Sequence, residues 1–482
     1  MIIVSITGPT ATLARQQVRA SERYADLIEF RLDLLGGEKA LDLLRVANKP
    51  VIATCRSEKE GGAFRGTENE RWALLRAAAH VGAAYVDVEL DVAERMAAFR
   101  AEHPKTRIIL SHHDVGGVLR DASALFERMK QFDPYVMKLA YTAHDAGDIT
   151  RARTFLTFAR RHRRRAVAVA MGEFGEATRV LFTKFGGWAT YAAPDRGAVA
   201  APGQISASVV TTVYRVRRID AATKVYGVIG NPLVQSKGVL LHNPLFKKYG
   251  VNAVYCRFPV IDVGSFMQEC APLLHGFSVT IPHKQTLLPM VDEVDEPAAA
   301  IGAVNTVLRK RGKWFGTNTD AAGALDAMET KVRVKGKHVL VLGAGGAARA
   351  IVFEARRRGA VVFVANRTEE RARRVADEFG CTFVPMSDLA ATDFDIFANA
   401  TSVGMVPHVD SSPVPKAILR NKVVFDVVYN PPITKLLREA RRVGAVIVPG
   451  TEMYINQAAM QFGLYTGIRP ARAVLRKVLF SL

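Results

Sequence analysis

Over residues 1–218, eight short apolar stretches alternate with segments of helical character, and this alternation constrains the fold more than any other feature of the chain. The strand candidates are 2–7, 27–33, 50–56, 84–90, 107–113, 135–142, 166–172 and 188–194. Helical stretches such as 68–80 and 118–132 lie between them. The intervals are long enough for crossover helices, so neighbouring strands should pair in parallel. Eight such units predict a closed (β/α)8 barrel over 1–219; the alternative is an open doubly wound sheet, and the count of eight favours closure.

Strands of such a barrel are buried on both faces and should be almost wholly apolar, so the polar exceptions carry information. The second strand sets Glu29, Arg31 and Asp33 at alternate positions, on one face. The third ends in Arg56, with Glu60 in the loop beyond; the fourth carries Asp87 and Glu89; the fifth ends Ser111-His112-His113-Asp114. Asp33, Asp87, Glu89 and Asp114 also suit structural roles, satisfied by loop amides or arginines, and His112 reads as a bystander. Lys138, in the middle of the sixth strand, has no cheap route to solvent. Burial of an ammonium is costly and favours the neutral amine. A neutral amine is what imine formation with a ketone needs, and a nearby histidine can move the protons.

These positions together resemble the type I 3-dehydroquinate dehydratases over the whole first half. The resemblance is carried by Glu29-x-Arg31-x-Asp33, Arg56-Ser-x-x-Glu60-Gly-Gly, Ser111-x-His113-Asp114, Lys138, Met171-Gly172 followed by Thr178-Arg179, and Ala201-Pro-Gly-Gln204. It implies that Lys138 forms a Schiff base with the substrate ketone, that His113 moves the protons and that Glu60 orients His113. Arg179 would bind the substrate carboxylate, while Glu29, Arg31, Arg56 and Gln204 would hold the ring hydroxyls. One departure is Ala200, where the family often has serine.

The stretch from Tyr214 to Gly230 is where the pattern changes. Beyond it, polar residues gather on short loops: Ser236 after Gly230-Asn-Pro, Thr280 and Lys284 in Gly276-Phe-Ser-Val-Thr-Ile-Pro-His-Lys284, Asn305 in Gly302-Ala-Val-Asn-Thr306, and Asp320 in Gly316-Thr-Asn-Thr-Asp320. A strand at 338–342 then runs into Gly343-Ala344-Gly345-Gly346-Ala347-Ala348-Arg349, which opens a helix. Such a turn lets a pyrophosphate approach the helix N-terminus closely. Ala348 replaces the third glycine of the usual fingerprint. After the next strand, 360–365, the usual acidic residue is missing and Asn366-Arg367-Thr368 stands in its place. A carboxylate would repel a 2′-phosphate and Arg367 would attract it, which favours NADP(H) over NAD.

This half resembles the shikimate dehydrogenases, with Asn399-Ala-Thr401-Ser-Val-Gly-Met405, Asp426-Val-Val-Tyr-Asn-Pro431 and Gly450-x-x-Met453-x-x-x-Gln457 as further matches. The resemblance implies a catalytic pair, Lys284 and Asp320. It assigns substrate contacts to Ser236, Thr280, Asn305, Asp320 and Gln457. Cofactor contacts fall to Gly343, Ala344, Gly345, Gly346, Ala347, Asn366, Arg367, Thr368, Thr401 and Met405. The family pattern His-Ser-x-Ser-Pro reads Gln235-Ser-Lys-Gly238-Val239 here, and Ser278 stands where asparagine is common. Losing one hydroxyl contact to a charged group costs about 1.5–3 kcal/mol, which leaves altered specificity (quinate) or a non-catalytic module as alternatives. The expected domains are 1–219, a substrate lobe at 222–330 completed by 453–482, and a Rossmann NADP lobe at 335–452.

The two resemblances predict dehydration of 3-dehydroquinate to 3-dehydroshikimate, then reduction to shikimate. The net charge of +20 suits anionic substrates and a phosphate-bearing cofactor. Its densest run, Arg160 to Arg165, falls at an expected helix end, where cations suit the dipole. No nucleic-acid motif accompanies it. Cys55, Cys256, Cys270 and Cys381 are scattered without a C-x-x-C pair, so no zinc site or disulfide framework is expected and a cytoplasmic location fits. Residues 1–8 read as a strand, not a signal peptide, and no apolar run reaches the length of a membrane span. The last barrel helix, expected at 204–218, should end at the barrel floor. A linker at 219–224 is too short to reach round, at about 3.6 Å per residue. The following half should therefore hang from the floor, away from the mouth, with no direct channel between the sites.

Overall fold

A computed structural model of the chain describes residues 1–36, 40–117, 119–195, 197, 200–233 and 236–480. Val118, the expected start of one helix, and Gln235, in the loop before Ser236, lie outside the described residues. The chain forms two compact units: Met1–Val228 with His242–Leu274, and Ile229–Leu241 with His275–Leu482.

In the first unit, β1 (Ile2–Ile6), β2 (Leu27–Arg31), β3 (Val51–Thr54), β4 (Tyr85–Glu89), β5 (Arg107–Asp114), β6 (Val136–Thr142), β7 (Ala166–Met171) and β8 (Thr190–Ala192) form one sheet. Its order is β7-β6-β5-β4-β3-β2-β1-β8, and the recorded pairings are parallel. The seam between β7 and β8 is closed where Trp188 N–H donates to Ala166 O at 2.8 Å. The sheet is thus a (β/α)8 barrel, as the count of eight strands implied. Its lowest inward layer is apolar, with Ile3, Leu27, Ile52, Tyr85, Ile109, Val136, Val167 and Tyr191 in one buried cluster. Two residues further along a strand the side chain points the same way. The next layer therefore holds Glu29, Asp87, Ser111 and Lys138, polar exceptions of the sequence, together with Ser5 and Thr54.

The flanking helices follow their caps. Glu68–His80 opens with a capping box of Thr67 and Glu70, which satisfies two amides reciprocally. The helix expected from 118 starts later, at Ala122–Lys130, because the Asp121 carboxylate accepts from the Ser123 and Ala124 amides. The last barrel helix is shorter than expected: Ala207–Thr212, followed by left-handed Arg215 (φ 53°) and one 3₁₀ turn, Val216–Arg218. Val209, Val210, Thr211, Thr212 and Val213 form a β-branched run, which loses χ1 freedom in a helix.

The linker does lie at the floor. Arg217 Nη2 donates to Tyr24 O at 2.6 Å and to Asp26 Oδ1 at 2.9 Å, in the turn before β2. The segment beyond the linker continues within the first unit, to which residues 242–274 belong. β9 (Lys224–Gly230) and β10 (Ala253–Pro259) are sheet neighbours. Asp262, just past β10, donates its amide to Asp145 Oδ2 at 2.8 Å, in the loop after β6. A seven-residue strand rises about 20 Å, enough to carry the chain from the floor to the rim.

In the second unit, β11 (Gly276–Val279), β12 (Glu293–Val294), β13 (Thr306–Lys310) and β14 (Lys313–Thr317) run in the order β11-β13-β14-β12. The β13–β14 hairpin turns through Arg311 (φ 50°) and Gly312 (φ 85°), both left-handed, as a twist-matched two-residue turn requires. Then β15 (His338–Leu342), β16 (Val361–Ala365), β17 (Thr382–Phe383), β18 (Ile396–Asn399), β19 (Val423–Asp426) and β20 (Val446–Val448) form a parallel sheet of order β17-β16-β15-β18-β19-β20. Strand order reverses between β15 and β18, which makes the crevice outside their C-terminal ends the ligand position of such a Rossmann sheet. Helix Thr319–Met328 packs closely on helix Gly450–Thr466, and Gly323 makes this possible: a Cβ there would lie 3.2 Å from Gln457 N. Among the described residues, no helix is long and apolar enough to cross a membrane.

Candidate active sites

Above the apolar floor of the barrel lies a cavity of about 250 Å³. Glu29, Arg31, Arg56, Glu60, His113, Lys138, Arg179 and Gln204, the eight residues to which the resemblance assigns roles in the first half, line it. Lys138 Nζ donates to Asp87 Oδ2 at 2.9 Å, stands 3.6 Å from Glu29 Oε1 and sits 4.3 Å above the Tyr191 ring. Arg56 braces the wall: Nη2 donates to Asp87 Oδ1 at 2.6 Å, and Nη1 to Glu60 Oε2 at 2.9 Å and Glu89 Oε1 at 3.2 Å. Glu29 accepts from Ser5 Oγ at 2.5 Å and Thr54 Oγ1 at 2.9 Å. Arg31 is locked to Asp33 by a two-pronged pair at 2.9 and 2.7 Å. Gln204 Oε1 accepts from the Ala200 amide at 3.0 Å.

His113 Nδ1 lies 2.9 Å from Glu60 Oε2. An ionised carboxylate only accepts, so Nδ1 carries the hydrogen and Nε2 is left as the basic nitrogen. Burial, with the Arg56 charge, pushes the His113 pKa from 6.5 down to about 3 against the pull of Glu60. Burial pushes Glu60 up, but the imidazoles of His112 and His113 and the Arg56 guanidinium outweigh it and bring it to about 2. The neutral imidazole is ready to take a proton. Asp87 is opposed by burial in the same way, yet Arg56 and Lys138 hold it well below the usual carboxylate range. His112 is 3.7 Å from Glu60, beyond hydrogen-bond reach.

These shifts carry a pH dependence of stability. His113 and His242, in the same unit, both fall from 6.5 to about 3, mainly through burial. Between those values the unfolded chain binds protons that the folded chain does not. Stability is therefore complete above pH 6.5 and falls as pH drops toward 3. Glu60 adds the same sign below its ordinary value of 4.5. The urea midpoint of the first unit should be lower at about pH 5 than at about pH 7.5; an unchanged midpoint would contradict the buried, neutral histidines.

Arg179 is 1% exposed. Nη1 donates to Ala170 O at 2.7 Å and Nη2 to Pro202 O at 3.3 Å, and Nε has no hydrogen-bond partner among the described residues. Burial brings its pKa from 12.5 to about 10, so it stays charged at neutral pH. A cation anchored only by carbonyls and facing a cavity is suited to a carboxylate, which would supply the missing countercharge.

In the second unit, Lys284 Nζ donates to Asp320 Oδ2 at 2.5 Å. Asp320 sits in the first turn of helix Thr319–Met328, whose N-cap Asn318 accepts from the Asp320 and Ala321 amides. Asn305 Nδ2 donates to Thr319 Oγ1 at 2.9 Å and lies 3.5 Å from Gln457 Oε1. Lys284 and Asn305, on loops, and Asp320 and Gln457, on two helices, are thus drawn together. Thr280 N–H donates to Ile229 O at 2.9 Å, and Ser236 Oγ lies 3.4 Å from the Gly238 amide, which opens helix Gly238–Lys248. Ser278 Oγ stands 3.1 Å from Gln461 Oε1 and 3.0 Å from Tyr465 OH, so this serine is engaged by protein groups.

The residues after β15 fit a dinucleotide. Gly343 (φ 125°) brings its backbone so close to Ala400 that a Cβ would lie 3.1 Å from Ala400 O. A Cβ at Gly345 would meet nothing within 4 Å, so the backbone there is open to a ligand. The amides that follow open helix Gly346–Arg357. Gly346 adjoins Lys284: a Cβ there would lie 3.4 Å from Lys284 Cδ. After β18, Asn399 Oδ1 accepts from the Thr401 amide and hydroxyl at 3.1 and 2.7 Å, shaping the loop that leads to Met405. Past β16, Asn366 Nδ2 donates to Thr368 O at 2.9 Å, and Arg367 is exposed with no carboxylate at that strand end. This donor set suits a 2′-phosphate.

Sequence reasoning missed three kinds of residue. Asp87 was read as structural, but it is the direct partner of Lys138. Its period-two alignment with the lysine layer was the available signal. Tyr191 lines the cavity under the ammonium, and nothing distinguished it from a core aromatic. Thr319, Gln461 and Tyr465 hold the second site from positions with no motif of their own.

Comparison with known proteins matches residues 2–221 to the type I 3-dehydroquinase family, 228–307 to the shikimate dehydrogenase substrate binding domain, and 326–445 to the shikimate/quinate 5-dehydrogenase family. A chloroplastic bifunctional 3-dehydroquinate dehydratase/shikimate dehydrogenase of Arabidopsis thaliana is 40% identical over 479 residues, covering 93% of this chain and 79% of that protein. A shikimate dehydrogenase (NADP(+)) of Methanocaldococcus jannaschii is 40% identical over 278 residues, 55% of this chain and 98% of its own length. The solved shikimate 5-dehydrogenase of Thermus thermophilus, in complex with NADP(H) and shikimate, superposes with a TM-score of 0.50 at 34% identity, covering 54% of this chain and 99% of that one.

Proposed function

The chain belongs to the bifunctional 3-dehydroquinate dehydratase/shikimate dehydrogenases, and on that basis we propose how its residues divide the two reactions. The barrel dehydrates 3-dehydroquinate to 3-dehydroshikimate, and the second unit reduces that product to shikimate with NADPH. The observation that carries the barrel assignment is Lys138 facing one cavity with the His113–Glu60 pair.

Lys138 Nζ adds to the ketone carbon and the carbonyl oxygen leaves as water, forming an iminium. This electron sink acidifies the neighbouring carbon, and His113 Nε2 takes the proton. The same imidazolium then protonates the departing hydroxyl, and hydrolysis of the imine releases the amine. Glu60, held by Arg56, keeps the imidazole in the required tautomer. Arg179 receives the substrate carboxylate; Glu29, Arg31, Arg56 and Gln204 hold the ring hydroxyls.

In the second unit, NADPH supplies the hydride when bound. Lys284 stabilises and protonates the carbonyl oxygen, and Asp320 holds Lys284 in place. Asn305 and Gln457 bind ring hydroxyls, with Ser236 and Thr280 as further substrate contacts. Gly343, Ala344, Gly345, Gly346 and Ala347 cradle the pyrophosphate, with Thr401 and Met405 on the facing loop. Asn366, Arg367 and Thr368 hold the adenosine end. The proposed division is 1–219 for the dehydratase, 222–330 with 453–482 for the substrate lobe, and 335–452 for the NADP lobe. Four unbridged cysteines favour a reducing cytoplasm, and the partners are small anionic substrates, not nucleic acid.

The test supplies purified protein with 3-dehydroquinate and NADPH. Oxidation of NADPH requires both reactions in series, and its absence with 3-dehydroshikimate supplied directly would sink the dehydrogenase assignment. In the same assay Arg367→Ser should raise the KM for NADPH about 10- to 100-fold, the scale of one charge-assisted contact, while the KM for NADH changes little.

A further inference from the structure

We infer that Arg257, which lies beyond the linker, is a positioning residue for the dehydratase site: with Tyr214 it clamps Glu176 and so fixes the short helix that carries Arg179. The inference rests on the reading that Arg179 binds the substrate carboxylate.

Arg179 sits on helix Glu176–Val180, only five residues long and unable to hold itself. One tie runs to the barrel: Thr178 Oγ1 accepts from the Ala170 amide at 3.1 Å and donates to Gly175 O at 2.8 Å. The other tie runs outward from the first residue of the helix. Glu176 Oε1 accepts from Tyr214 OH, and Glu176 Oε2 accepts from Arg257 Nη1 at 3.3 Å. Tyr214 is the residue just before the turn into the linker and is 3% exposed. Arg257 belongs to β10, within the same compact unit.

The neighbouring rim loop is held in the same manner. Besides the bond from the Asp262 amide to Asp145, Gly147 lies where a Cβ would be 3.0 Å from Ser265 Oγ and 3.1 Å from Glu269 Oε2. Residues 257–269 therefore brace the loops after both β6 and β7, the strands that carry Lys138 and lead to Arg179. Small displacements of a group that orients substrate are expensive: about 1 Å can cost 10²-fold. A carboxylate with two charge-assisted or hydroxyl donors is a firm anchor for a helix start.

The experiment uses the full chain and measures both activities in Glu176→Gln, Arg257→Ala, their double variant and Arg179→Lys. The expected result is a rise of about tenfold in KM for 3-dehydroquinate for either clamp variant, the scale of one charge-assisted bond. The kcat should change less, and the Glu176→Gln dehydrogenase should be unaltered. The double variant should be no worse than the singles, because both remove one clamp, and Arg257→Lys should recover part of the loss. Additive effects, or a parallel loss of both activities with a lowered unfolding temperature, would reduce the clamp to general packing and overturn the inference. If Arg179→Lys raises KM and the clamp variants do not, the carboxylate reading stands and the clamp falls. If Arg179→Lys leaves KM unchanged, the carboxylate reading itself is wrong.

Discussion

Replacing Lys138 with methionine should abolish dehydration of 3-dehydroquinate while NADPH-dependent reduction of 3-dehydroshikimate continues. Removing a covalent nucleophile costs at least about 10⁴ in kcat, because no other group can provide the electron sink. The fold should survive. Methionine matches the shape of the lysine stem, and Asp87 keeps Arg56 Nη2 and Ser111 Oγ, both at 2.6 Å, so no carboxylate is left unpaired. Borohydride added during turnover should fix a substrate adduct on the peptide containing Lys138 in the unsubstituted chain and none in the variant. An adduct on any other lysine would refute the assignment. His113→Asn should separate the two roles. It keeps the lysine and should still be trapped, yet elimination should slow by about 10²–10⁴, the usual contribution of a positioned acid–base.

Lys284→Met and Asp320→Asn should do the reverse, with reduction falling by about 10²–10⁴ in kcat and dehydration untouched. The lysine stabilises charge that develops on the carbonyl oxygen only during the reaction, so kcat should suffer more than KM. Asp320 accepts from Lys284 Nζ at 2.5 Å and is placed by its own helix start. The asparagine variant keeps the shape and loses the charge that orients the ammonium. If either variant retains reduction at more than a few per cent, the pair is not catalytic and Gln457 with Asn305 would be the next groups to test.

Much of this molecule is legible in its residues alone. A barrel strand is buried on both faces, so Lys138 in β6 and Glu29 in β2 stand out against an apolar background. The glycine turn at Gly343 announces itself because only glycine readily takes its left-handed φ of 125°. The absence of an acid after β16, with Arg367 exposed there, indicates the 2′-phosphate from chemistry alone. The helix expected at 204–218 is shorter, Ala207–Thr212, and the chain turns at the left-handed Arg215. The contact of Asp262 with Asp145 at the barrel rim is non-local, made across 117 residues.

Local sequence is enough to set the two architectures and the odd residues within them, because strand and helix periodicity, capping and turn chemistry act over a few residues. Which charges meet is a matter for the tertiary fold. Asp87 reaches Lys138 from β4, two strands away, and Arg257 reaches Glu176 across 81 residues. Such pairings depend on strand register, side-chain reach and the closing of the sheet, none of which any short stretch of sequence encodes.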